Sequence, residues 1–134
     1  MPTPLFQDLD CFGIPVPDLD EALRFYQDEL GQRLLWRTPT SAGLAFAGAS
    51  LPELVLHTEL WPIATAIKVE SVVEAVARFV AAGGTLVEPP SEIPIGRLAV
   101  VADPWSNHLV LLDASKGQLR TDSERNVVGV GPAA

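Results

Sequence analysis

The sequence predicts an α+β fold built from two tandem βαβββ modules, with two helices and about eight strands. Three observations predict it. A strand followed by a capped helix occurs twice, the two copies stay in step, and three strand-like runs follow each helix. A helix flanking a sheet buries its apolar stripe against one sheet face, so paired copies of this unit make a two-layer domain.

The first strand spans 9–16, where Phe12, Ile14 and Val16 alternate onto one face and Cys11 and Gly13 onto the other. Asp18 then stands as an N-cap with Glu21 three residues later. Leu19, Ala22, Leu23, Tyr26 and Leu30 recur at helical spacing, and Gly31 is placed to end the helix. The second strand spans 64–69. Ser71 and Glu74 form an S-x-x-E capping box, Val72, Val73, Val76, Phe79 and Val80 form the stripe, and Gly83-Gly84 ends it. Val16 to Val69, Glu21 to Glu74 and Gly31 to Gly84 are each 53 positions apart (69 − 16, 74 − 21, 84 − 31).

The later strand-like runs are 33–37, 44–47 and 53–58 in the first half, and 85–88, 97–102 and 108–112 in the second. Glu53-Leu54-Val55-Leu56 echoes His108-Leu109-Val110-Leu111 at an offset of 55 (108 − 53), so a small insertion lies between. A single domain over 1–134 is expected, with module one at about 8–60, module two at about 62–113 and a tail at 114–134. The stretch Glu88-Pro-Pro-Ser-Glu-Ile-Pro94 reads as a stiff connecting loop. The charged part of the tail is expected to be mobile, and its apolar end, Val127–Val130, to pack on a partner subunit.

Seventeen acidic against nine basic residues give a net charge of −8, which repels nucleic acid and anionic membrane. No run of 18 apolar residues marks a membrane span, and Met1–Asp10 lacks a signal-peptide layout. A cytoplasmic protein is expected. Cys11 is the sole cysteine, so no intramolecular disulfide can form. No nucleophile elbow, P-loop, dinucleotide fingerprint, C-x-x-C or H-E-x-x-H is present.

Val16-Pro-Asp-Leu-Asp-Glu-Ala-Leu-Arg-Phe-Tyr-Gln-Asp-Glu-Leu-Gly31 resembles the opening V-x-D-L-x-x-(S/A)-x-x-F-Y-x-x-x-L-G of the vicinal oxygen chelate superfamily. That group holds the glyoxalases, bleomycin-resistance proteins and extradiol dioxygenases. Gly96–Asp113 resembles its penultimate strand, D-P-D-G-N turn and final strand, with Trp105-Ser106 in place of Asp-Gly. The likeness covers roughly residues 8–113 and implies that the two βαβββ modules form a cupped eight-stranded mixed sheet with two flanking helices.

In metal-using relatives each module supplies one ligand from its first strand and one from its last. The resemblance puts those positions at Cys11 and Ala64, and at Val55 and Val110. A gapless offset would set His57, rather than Val55, opposite Val110. Valine and alanine have no side-chain lone pair, and one thiol cannot hold a catalytic ion. No metal or other cofactor is therefore expected. The alternative is a displaced site in which Cys11, His57 and His108 converge, since strand alternation turns all three toward the cup.

Without a metal, the resemblance implies an apolar cup suited to an organic ligand, as in the bleomycin-resistance branch. Ligand contacts are expected from Cys11, Trp36, Val55, His57, Trp61, Ala64, Trp105, His108 and Val110. Arg37 and Arg97 would suit an acidic ligand, and Glu53, Glu59 and Glu88 a cationic one. A homodimer with a small-molecule ligand is expected, sequestering an organic or antibiotic-like compound. The competing readings are a lyase, isomerase or dioxygenase-like enzyme with the displaced metal or a histidine base, and a module whose cup is filled by its own side chains or tail.

Overall fold

The computed structural model describes residues 3–59 and 65–132. The first module runs β1 (Asp8–Pro15), α1 (Leu19–Leu23), β2 (Arg33–Arg37), β3 (Ser41–Phe46) and β4 (Ala49–His57). The second runs β5 (Thr65–Lys68), α2 (Val72–Ala81), β6 (Thr85–Ile93), β7 (Gly96–Ala102) and β8 (His108–Leu112). All eight strands join one mixed sheet in the order β2-β3-β4-β1-β5-β8-β7-β6, which is the α+β architecture expected. Parallel β1–β4 pairing is mirrored by β5–β8, and antiparallel β1–β5 pairing welds the modules. Phe12 faces Thr65 across that seam, and these residues are 53 positions apart (65 − 12), so the repeat offset marks the local twofold axis.

Both helices start as their caps dictate. Asp18 accepts from Glu21 N–H at 2.9 Å, and Ser71 from Glu74 N–H at 3.3 Å. Gly31 and Gly83 stop them at φ +79° and +117°. The first helix differs from the regular pattern: after Leu23 it widens into a π-helical stretch, Arg24–Glu29, which leaves Leu30 exposed. In α2, Ala75 rather than Val73 joins Val72 and Val76 in the interior, and Val73 and Val80 face out.

Apolar side chains form three clusters. Leu19, Ala22 and Leu23 pack on Ala42, Leu44, Leu54 and Leu56 of the first module. Val72, Ala75 and Val76 pack on Ala99, Val101 and Leu111 of the second. The third cluster lies on the opposite, helix-free face. Asp113 fastens the second module: it is buried and accepts from Val72 N–H at 2.7 Å, Arg97 N–H at 3.0 Å and the Ser115 hydroxyl at 2.7 Å.

Two segments differ from expectation. Residues 88–93 continue β6 as strand rather than forming a loop. β6 is the last strand of the sheet, where proline's missing N–H can face solvent, and the register slips between Glu88 and Ser91 to accommodate Pro89 and Pro90. The tail is a hairpin, β9 (Gln118–Thr121) and β10 (Val127–Gly131), closed by Asp122, which accepts from the N–H groups of Glu124 and Asn126. Among the described residues no helix is long and apolar enough to cross a membrane.

Candidate functional site

The helix-free face carries the candidate site. Alternation along the central strands sends Leu54 and Leu56 to the helix side and Glu53, Val55 and His57 to this one. Pairing then aligns Glu53, Cys11, Ala66 and Val110 in one row across β4, β1, β5 and β8. Cys11, Val55, Ala66, Val100, Val110 and Leu112 form a buried apolar floor, with Trp36, Ile93, Ile95 and Leu98 packed against it. Trp36 comes from β2 at one end of the sheet, and Ile93 and Ile95 from the β6–β7 corner at the other. The cluster thus runs across the helix-free face from β2 to the β6–β7 corner.

The floor has a polar edge. The Trp36 indole N–H donates to Glu53 Oε1 at 2.5 Å. Gly43 pairs with both Trp36 and Val55, and a Cβ there would collide with the indole and with Glu53 Oε1. Gly43 is thus the seat for the part of the indole that carries Nε1. Beside it, the register slips at Asp10, so that Leu9 pairs with Ile67 and Cys11 with Ala66. This bulge brings the Asp10 carboxylate into hydrogen-bonding contact with the Cys11 thiol.

Burial raises the Glu53 carboxyl above the usual range; the indole bond opposes this and the Asp10 charge adds to it. Burial also raises Asp10, against its bond to Cys11 and the opposing charge of Lys68. Burial, then the charges of Asp10 and Glu53, push the Cys11 thiol up to about 12. Cys11 is therefore a neutral thiol at physiological pH rather than an activated nucleophile.

The residues expected at the site separate into groups. Cys11, Val55 and Val110 share the floor, and Trp36 packs on it. His57 is 2% exposed, and its Nδ1 lies 2.6 Å from the Glu59 carbonyl oxygen. His57 stands opposite Pro15, four residues along β1 from Cys11, which is about 13 Å of strand. His108 is exposed at the start of β8, and Trp105 is 79% exposed in the 103–107 turn. Trp61 and Ala64 lie outside the described residues.

The donor set does not fit the metal centre of the metal-using relatives. Of the four positions that the resemblance assigns to ligands, Val55, Val110 and Ala64 have no side-chain lone pair, and Cys11 alone cannot hold a catalytic ion. Among the described residues, no group of three or more His, Cys, Asp or Glu side chains is placed to hold an ion. Sequence reasoning grouped Glu53 with two other glutamates and did not single out Asp10. Two-residue alternation back from Val55 points to Glu53; nothing in the sequence marks the bulge at Asp10.

Residues 8–111 match the model of the Glyoxalase/Bleomycin resistance protein/Dioxygenase superfamily. The chain belongs to this superfamily. Its fold is shared with methylmalonyl-CoA epimerase from Mycobacterium tuberculosis (TM-score 0.65, 23% identity, 84% of this chain and 91% of that one). It is shared also with the Mn(II)-bound glyoxalase from Novosphingobium aromaticivorans (TM-score 0.57, 18% identity, 82% and 40%). An extradiol ring-cleaving dioxygenase from B. fuscum is a third example (TM-score 0.55, 21% identity, 84% and 34%). No curated protein matches the chain. Within the superfamily fold, two of the positions that the resemblance assigns to metal ligands are Val55 and Val110 of this floor.

Proposed function

We propose that this superfamily member binds a small organic molecule on the helix-free face without a metal ion, with Glu53 and Trp36 as its polar and aromatic anchors. The observation that carries this reading is the floor itself: Cys11, Val55, Ala66 and Val110 form an apolar surface edged by a carboxylate held on an indole. A pocket that is mostly apolar, with few oriented polar groups, is the usual design for small organic ligands. The raised Glu53 carboxyl suits a ligand that donates a hydrogen bond or carries a positive charge, since either would offset the cost of burying it. A flat ligand would gain further from the Trp36 ring.

The test is a panel of planar and cationic compounds screened by thermal shift and tryptophan fluorescence. A binder should raise the melting temperature and quench fluorescence, and Trp36→Phe should remove most of the quenching. Its affinity should fall roughly tenfold or more in Glu53→Gln if the ligand is cationic, the cost of losing a charge-assisted hydrogen bond. A panel without a single shift would refute the reading.

A catalytic reading has one observation in its favour. His57 lies on the cup side of β4, and the Glu59 carbonyl 2.6 Å from its Nδ1 fixes the orientation of the ring. A lyase or isomerase with His57 as general base would lose turnover in His57→Gln while keeping its fold and its ligand affinity.

A further inference from the structure

We propose that the C-terminal hairpin is a strap across the mouth of the cup, and that the floor is reached when the strap lifts. The sheet has two free ends, β2 and β6, and the hairpin is tied to both sides. At its entry, the Lys116 N–H donates to the Ile95 carbonyl at 2.8 Å and the Lys116 ammonium to the Ile93 carbonyl at 3.2 Å. At its turn, the Arg37 N–H donates to the Arg125 carbonyl at 2.8 Å, and Arg37 bridges Asn126. Ile93 and Ile95 pack on the floor directly, and Arg37 follows Trp36, which does the same. A segment bonded beside floor-covering side chains from opposite ends of the sheet runs over the open side between them.

The strap is built to move as a unit. Leu119, Val127 and Val130 are half-buried, but among the described residues none of the hairpin joins the three apolar clusters, so the bonds at its two ends are its defined ties to the sheet. Its own shape is well fixed. Gly117 sits at φ +126° with its α-carbon against the Gly131 backbone, and Asp122 organises the turn. A rigid hairpin on weak end ties opens at far lower cost than the sheet beneath it. The proposal rests on the reading of this face as the binding site, but the test does not need the ligand.

Cys11 reports on the floor, because it is the sole cysteine and is buried there. The rate of its modification by an aromatic disulfide reagent is measured in three full-length or truncated proteins: wild type, Asp122→Ala, and a chain ending at Lys116. Both variants should react roughly tenfold faster or more than wild type in the absence of denaturant. The urea midpoint of the truncated chain should show that the sheet remains folded. Should truncation prevent folding, Asp122→Ala is read together with hydrogen exchange of the hairpin amides. A folded variant whose hairpin amides have lost protection, yet whose Cys11 reacts at the wild-type rate, overturns the strap. So does wild-type labelling that occurs only through global unfolding, with the full denaturant dependence. Faster labelling with no ligand found in any screen would sustain the strap and count against the binding reading alone.

Discussion

The hydrogen at Gly43 decides where Trp36 lies. A methyl group there would collide with the indole nitrogen and the Glu53 carboxylate together, and the ring would have to leave its partner. Gly43→Ala is expected to cost about 1–3 kcal/mol, the range for overpacking a fitted site. The Trp36–Glu53 bond should be lost with it, seen as a red shift in emission that is absent in a Trp36→Phe background. An unchanged urea midpoint with unshifted fluorescence would show that the indole does not lie on Gly43. The side-chain types at this site were readable from the sequence, since alternation places Cys11, Val55 and Val110 on one face. Their neighbours were not. The contact between Asp10 and Cys11 depends on a one-residue slip in pairing, and the seat under Trp36 depends on cross-strand register; both are set by three-dimensional pairing rather than by local pattern.

At the scale of elements, helix starts and stops were legible because each is chemistry within four residues: Asp18, Ser71, Gly31 and Gly83 act on their own turn. Asp113 is different, since its partner Val72 is 41 residues away in sequence, and only the parallel pairing of β5 and β8 brings them together. The edge position of β6 and the hairpin in the tail were hidden for the same reason. Prolines and charges read as loop and mobile tail when the strand's neighbours are unknown. Two substitutions separate local from long-range support of α2. Ser71→Ala removes one cap bond and should cost about 1 kcal/mol. Asp113→Ala strands the Val72 N–H at a buried point and removes the partner of the half-buried Arg97 N–H, and should cost about 3 kcal/mol. Urea denaturation of the two variants measures both. Equal losses would mean that Asp113 is no more than a second cap.

Over the whole molecule, the buried carboxyls pull stability in opposite directions with pH. Burial alone would raise Asp113, but bonds from Val72, Ser115 and Arg97 outweigh it and hold the group below its usual value. Its contribution is present above the unfolded pKa of about 4 and is lost as pH falls through the lower folded value. Asp10 and Glu53 are raised, so they bind protons more tightly folded than unfolded. Their contribution is full below about pH 4 and is lost as pH rises through their folded values. An Asp10→Asn, Glu53→Gln double variant removes only this second pair. Relative to wild type it should therefore be more stable at pH 7 than at pH 4, because wild type carries the cost of two half-buried charges only at the higher pH. Urea midpoints of both proteins at the two pH values give the difference directly. The same advantage at pH 4 and pH 7 would mean that the carboxyls titrate as they do in water, and that the cup edge is wet. A larger advantage at pH 7 would show that the floor's dry environment reaches Glu53, the condition under which a cationic ligand gains most from meeting it.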